Sequence, residues 1–149
     1  MAATQADYEP LYLAGIVLFN QREFFDAHEV LEDLWNQCPN EDRRFYQAVL
    51  QAAVALHHFT SGNLRGAIKL FKSGKAYMDV YPNPHHGLNR EEFWAQMATC
   101  MAEIFREDQD LLRRDLKPDP ELIPIITLDP PPPDWPDPQQ FLHDDDDHE

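Results

Sequence analysis

The fold is decided by a stretch of twenty residues without a charged side chain, Phe45-Tyr-Gln-Ala-Val-Leu-Gln-Ala-Ala-Val-Ala-Leu-His-His-Phe-Thr-Ser-Gly-Asn-Leu64. A helix that is uncharged on all sides is typical of a buried helix. One helical stripe is apolar and comprises Phe45, Val49, Ala52, Ala53, Leu56 and Phe59. A second stripe carries the uncharged hydrogen-bonding groups of Gln47, Gln51 and His58. The stretch therefore predicts a central helix from about Glu41 to Thr60.

The preceding segment places a histidine and a carboxylate on one helical face. It reads Asn20-Gln-Arg-Glu-Phe-Phe-Asp-Ala-His-Glu-Val-Leu-Glu-Asp-Leu-Trp35. His28 and Glu32 are four residues apart, so their side chains stack on one side of a helix. His28 falls within the apolar face of that helix and Glu32 lies at its edge. We expect both to meet the polar stripe of the central helix in a buried centre.

Capping signals predict the remaining helices. Helix one spans about Glu9 to Phe19, and Asn20 with Glu23 forms a capping-box pattern for helix two. Asn63 caps helix four, which reaches about Tyr81, and Asn89 caps helix five, Arg90 to about Leu112. Strand-like sequence is nearly absent, with Ile123 to Leu128 as one short candidate. The predicted class is all-α, a compact bundle of about five helices built from antiparallel helical hairpins.

The C-terminal part differs in composition from the rest of the chain. Residues 117–149 hold nine of the thirteen prolines, ten acidic residues and one lysine. Proline removes a backbone donor and blocks helix continuation. We therefore expect a helical domain over residues 1–116 and a Pro-rich acidic tail over 117–149, extended or disordered.

Overall charge and cysteine content exclude several classes of function. The formal charge is −15, which disfavours nucleic-acid binding because a phosphate backbone requires clustered Lys and Arg. No apolar run reaches the roughly 18 residues of a membrane span, and the N-terminus lacks the pattern of a signal peptide. Cys38 and Cys100 form no CxxC or other ligand spacing. These features favour a cytoplasmic protein with reduced cysteines.

The motif residues resemble a known family. The stretch Phe24–Trp35 followed by Tyr46–His58 and Gly62–Ala67 resembles the all-helical prokaryotic family called domain of unknown function 309. Its HxxxExxW hallmark is met by His28, Glu32 and Trp35, and the fit continues at Gln47, Gln51, His57 or His58, Gly62 and Asn63. The resemblance covers about Tyr12 to Tyr77. It implies a helical bundle and a suspected metal-binding motif, and it brings no known activity.

Three hypotheses about function stay open at this point. The polar centre, with His28, Glu32, Trp35, Gln47, Gln51, His57, His58 and Asn63, is mainly structural or holds a divalent metal ion or small ligand. Alternatively, His28, Glu32 and His58 hold a metal in a hydrolase-like enzyme. The third hypothesis is a scaffold that binds a protein partner through its helical hairpins or its tail.

No catalytic residue is predicted, since no nucleophile or nucleotide-binding motif occurs. His85-His86 is predicted to lie in a loop, with no ligand cluster nearby in the sequence.

Overall fold

The computed structural model describes residues 7–106 and 116–143. Its helices are α1 (Pro10–Asn20), α2 (Phe24–Gln37), α3 (Arg43–Ser61), α4 (Leu64–Met78), α5 (Arg90–Cys100) and α6 (Ala102–Arg106). No strand occurs in these two ranges, so the predicted all-α class is confirmed. The predicted fifth helix is divided at Met101, and its expected end at Leu112 lies outside the described residues. None of the described helices is long and apolar enough to cross a membrane.

Helix α3 lies between its two neighbours in the chain and packs against both α2 and α4. Connections of a few residues join these helices, so consecutive helices form antiparallel hairpins. Helices α1 and α2 also pack closely, at Gly15. A Cβ atom at Gly15 would lie 2.6 Å from Leu31 Cγ, so the absence of a side chain permits this approach.

Helix α1 is more completely enclosed than the sequence suggested. Every residue from Tyr12 to Ile16 is buried, and five consecutive residues cover more than one helical turn. On α3, by contrast, Gln47, Gln51 and His58 are only half-buried. The expectation that α3 is buried on all sides is therefore wrong, and among the described helices α1 has a longer unbroken run of buried residues than α3.

The C-terminal tail covers part of this bundle. Its described part contains two short 3₁₀ turns, Pro120–Leu122 and Pro138–Phe141, and no other regular structure. The strand candidate at residues 123–128 is therefore not a strand. Its apolar side chains Ile123, Ile126 and Leu128 are nevertheless buried in the core formed by the helices. The domain boundary between residues 116 and 117 stays a prediction.

Candidate metal centre

The histidine and the glutamate of the HxxxExxW motif lie at the surface of α2. Glu32 is exposed and His28 is half-buried. The Phe25 ring lies between two imidazoles, 5.5 Å from His28 and 5.6 Å from His57. Within the described residues, neither His28 nor Glu32 has a side-chain hydrogen bond or ion pair. The predicted burial of Glu32 is wrong, because the α2 residues that enter the core, such as Leu31, are apolar.

The polar groups of α3 turn to different neighbours. Gln51 accepts a hydrogen bond of 2.6 Å from Ser73 Oγ on α4. His58 Nδ1 lies 3.3 Å from the amide nitrogen of Asn63. In the described part of the chain, no polar or charged residue is buried. The expected buried polar centre between α2 and α3 is therefore corrected: these groups lie at the edges of an apolar helix contact.

The tryptophan of the motif has a structural role. The guanidinium of Arg43 lies 4.5 Å above the Trp35 ring, and Arg43 Nε donates to the Trp35 carbonyl at 3.1 Å. These contacts tie the end of α2 to the start of α3. The Trp35 indole nitrogen is buried without a hydrogen-bond partner, which costs on the order of 1–3 kcal/mol.

The structure assembles metal-ligating groups at a different place. Across residues 7–106 and 116–143, one group of His, Cys, Asp or Glu has three ligand atoms within 4.8 Å of one another, and it consists of Asp42, His85 and His86. The predicted ligand set of His28, Glu32 and His58 does not form such a group.

In this group a single carboxylate lies between two imidazoles. His85 Nε2 is 2.9 Å from Asp42 Oδ1, and His86 Nε2 is 2.9 Å from Asp42 Oδ2. The three side chains are 22–27% exposed. The His85 contact has hydrogen-bond geometry, whereas the buried Nε2 of His86 lies close to the carboxylate but has no aligned hydrogen-bond partner.

Helix capping explains why the Asp42 carboxylate is available. Asp42 is the N-cap residue of α3, but its side chain makes no capping bond. The hydroxyl of Tyr81 instead accepts from the Phe45 backbone N–H at 3.0 Å and donates to the Glu41 carbonyl. The Phe45 amide is one of those that a helix start leaves without an internal partner. Because Tyr81 satisfies it, Asp42 can face the histidines.

The two histidines belong to the loop between α4 and α5. His85 and Leu88 exchange backbone hydrogen bonds of 3.0 and 2.9 Å, which close the loop on itself. Tyr12, from the buried helix α1, donates its hydroxyl proton to the His86 carbonyl at 3.0 Å. The loop is therefore anchored both internally and to the core.

Aromatic rings fix the planes of both imidazoles. His85 stacks on Tyr81 at 5.0 Å and 25°, and His86 stacks on Tyr46 at 5.5 Å and 23°. The two imidazoles are themselves 4.5 Å apart between ring centroids. Such packing limits rotation of the rings and keeps both Nε2 atoms directed towards Asp42.

Contacts within the group determine which of its side chains carries a negative charge. Burial favours protonation of the Asp42 carboxyl, but the hydrogen bond from His85 and the closeness of both imidazoles outweigh this and lower its pKa. Burial raises the pKa of Tyr46 far above its usual value, and the Asp42 charge adds to the effect. Asp42 is therefore the anionic group here, and the Tyr46 phenol stays neutral at physiological pH.

Open space adjoins the carboxylate on two sides. One cleft, of about 240 Å³, is lined in part by Asp42, Tyr46 and His86. Another, of about 610 Å³, includes Asp42, Tyr81 and His85. A small ion or ligand can therefore reach the group from solvent.

Two imidazoles and one carboxylate are a ligand combination suited to divalent transition metals. Sequence reasoning missed this combination because Asp42 and His85 are 43 residues apart. The one local signal was the His-His pair itself, held between Pro84 and Gly87. Nothing near it in the sequence supplied the third ligand.

The fold and the geometry of this group define an all-helical bundle with a candidate metal centre at the start of its third helix. Residues 12–70 match the family model Domain of unknown function (DUF309). The resemblance predicted from the sequence is thereby confirmed over this segment. Asp42 lies inside the matched segment, whereas His85 and His86 follow it.

Two relatives are similar to part of the chain. An uncharacterized protein of Aquifex aeolicus (strain VF5) is 32% identical over 80 residues, which are 53% of this chain and 24% of the relative. The uncharacterized protein YpuF of Bacillus subtilis (strain 168) is 37% identical over 65 residues, 42% of this chain and 37% of the relative. The chain thus covers only 24% and 37% of the lengths of these two relatives. No solved structure matches the chain.

Proposed function

We propose that this protein binds one divalent transition-metal ion through Asp42, His85 and His86. The observation that carries the proposal is the placement of two imidazole Nε2 atoms at 2.9 Å from the two oxygens of one carboxylate. A metal ion would bind between these atoms, with both imidazoles as neutral ligands. Three protein ligands are the number found in metal sites that retain one open position.

This ligand set replaces the metal ligands predicted from the sequence. His28, Glu32 and His58 lack a common meeting point in the described residues, which removes the support for a hydrolase-like site built from them. The general expectation of a bound divalent ion is kept, but at a different place in the fold.

The composition supports two further parts of the proposal. Cys38 and Cys100 are free cysteines, which supports a protein that acts in a reducing compartment such as the cytoplasm. The formal charge of −15 supports a role without nucleic acid.

Metal analysis of protein purified without an affinity tag tests the proposal. We expect about one equivalent of zinc or a similar ion after equilibration, and loss of that metal in Asp42→Asn and His85→Ala. The matched controls are His28→Ala and His58→Ala, which remove the histidines that the sequence favoured and should retain the metal. No bound metal in the parent protein, or metal lost only from the controls, would overturn the proposal.

A further inference from the structure

The short connection between α2 and α3 carries a second kind of ligand. Cys38 follows the last residue of α2, and Asp42 precedes the first residue of α3. Cys38, Asp42 and His86 line the same cleft of about 240 Å³. The half-buried thiol therefore belongs to a residue that borders the same cleft as two of the three candidate ligands.

The Asn40 side chain links the Cys38 thiol to the backbone of Asp42. Cys38 Sγ donates to Asn40 Oδ1 at 3.3 Å, and the Asp42 backbone N–H donates to the same oxygen at 2.9 Å. A thiol is a weak hydrogen-bond donor, so little is lost when Cys38 turns from Asn40. Such a turn is needed, because Cys38 is not part of the group whose ligand atoms lie within 4.8 Å of one another.

On the basis of the proposed function, we infer that Cys38 is the fourth ligand and binds the metal as a thiolate. The thiol proton leaves to solvent when the sulfur–metal bond forms. A divalent ion held by one carboxylate, one thiolate and two neutral imidazoles has no net charge, which suits a half-buried position. Sulfur, nitrogen and oxygen ligands in fourfold coordination favour Zn²⁺ over Mg²⁺ or Ca²⁺.

The charge of the cleft argues against an anion in this position. Asp7 and Glu9 also line the cleft, and no lysine or arginine is among its described lining residues. Free phosphate or a carboxylate ligand would meet the negative charges of both side chains, whereas a cation is attracted by them. The remaining competitor for the fourth position is water, which would leave an open site.

Cobalt(II) distinguishes the thiolate from water, because a cobalt–thiolate bond produces a charge-transfer absorption in the near ultraviolet. The reduced, untagged, metal-free protein is titrated with Co²⁺. We expect this band at one equivalent, its loss in Cys38→Ser, and a Co²⁺ affinity that is weaker by about tenfold or more in that variant. Cys100→Ser is the matched control and should keep the band, since Cys100 is buried in the core, where burial raises its pKa to about 11.

A second measurement avoids dependence on a variant that could fold poorly. The rate at which iodoacetamide alkylates Cys38 in the parent protein should fall when Zn²⁺ is added. If Co²⁺ binds, is lost with Asp42→Asn, and yet gives no charge-transfer band, Cys38 is not a ligand while the three-residue site stands. If the parent protein binds no Co²⁺, the proposed function itself fails.

Discussion

The Asn20 side chain and the Ile126 backbone exchange two hydrogen bonds. Asn20 Nδ2 donates to the Ile126 carbonyl at 3.0 Å, and the Ile126 N–H donates to Asn20 Oδ1 at 2.8 Å. The two residues are 106 positions apart, so the amide joins the end of α1 to the tail. Ile126 is buried beside this contact, and the pair therefore fixes the segment of the tail that completes the core.

We predict that Asn20→Ala destabilises the protein by about 1–3 kcal/mol, because it leaves the partly buried N–H and carbonyl of Ile126 without partners. Urea denaturation followed by circular dichroism measures the free energy of unfolding. Asn36→Ala is the matched control, since Asn36 is an exposed asparagine on α2 and its loss should change stability by less than about 0.5 kcal/mol. Equal stability of the two variants would contradict the prediction.

The tail also reaches the loop that carries the two histidines. The Asp129 N–H donates to the Gly87 carbonyl at 2.9 Å. Gly87 has a φ of +75°, and a Cβ atom there would lie 2.3 Å from the Tyr8 hydroxyl. Position 87 therefore requires glycine both for its backbone conformation and for space.

We predict that Gly87→Ala shifts this loop and weakens Zn²⁺ binding by about tenfold or more, as loss of support around a metal site does. Gly62→Ala is the matched control. Gly62 also has a positive φ, of 87°, but it ends α3, at the opposite end from Asp42. Both variants should lose stability, by about 1 kcal/mol or more, and Gly87→Ala alone should lose affinity. Isothermal titration calorimetry measures the affinity, and a parallel loss in both variants would refute a local effect.

A third prediction concerns pH. Burial, with a smaller contribution from His57, lowers the pKa of His58 below 6.5. The unfolded chain therefore binds more protons than the folded protein as the pH falls through that range, so His58 lowers stability at acidic pH. Asn63 Nδ2, a donor, faces His58 Nδ1, which also favours the neutral ring.

The test compares His58→Gln with the parent protein at several pH values in the presence of a chelator. The free energy of unfolding should fall less steeply below pH 6.5 in the variant than in the parent protein. At pH 8 the imidazole is neutral in both states, so the difference between the two proteins there serves as the baseline. An identical slope in both proteins would show that His58 does not cause the acid sensitivity.

Local signals in the sequence predicted most helix starts. Asn63 caps α4 through the Gly66 N–H at 3.0 Å, and Asn89 caps α5 through the Glu92 N–H at 3.1 Å. Asn20 has the same local signature, but its side chain binds the tail and makes no cap for α2. Capping depends on residues a few positions away, and it is predictable only where no distant backbone competes for the same side chain.

The candidate metal centre was beyond sequence reasoning for a related physical reason. His28 and Glu32 were favoured because their spacing indicates that they share one face of a helix. Periodicity does not indicate whether neighbouring helices bury the edge of that face. Asp42 lies at a helix start, where aspartate is a common capping residue, so its residue type alone does not indicate a metal ligand. In the structure the Tyr81 hydroxyl accepts from the Phe45 N–H at the start of α3. The Asp42 carboxylate therefore contacts the histidines and does not cap the helix.

The final prediction tests whether the Tyr81 hydroxyl, by binding the start of α3, leaves the Asp42 carboxylate available to the histidines. Tyr81→Phe keeps the ring on which His85 stacks but removes the hydroxyl that accepts from the Phe45 N–H. We expect the Asp42 backbone to change from its αR conformation, with ψ of −7°, to the extended conformation of capping residues, so that its carboxylate caps α3 itself. Stability should then fall by no more than about 1 kcal/mol, whereas Zn²⁺ affinity should fall by about tenfold or more because the ligand is diverted.

The matched control is Tyr77→Phe. The Tyr77 ring lies under the Arg44 guanidinium at 4.5 Å, and its hydroxyl has no hydrogen bond within the described residues. Calorimetric titration with Zn²⁺ and urea denaturation are carried out on both variants. If Tyr81→Phe loses stability but keeps the parent affinity, the Asp42 carboxylate is held by its histidines independently of the cap. The Tyr81 hydroxyl would then stabilise the start of α3 without positioning a metal ligand.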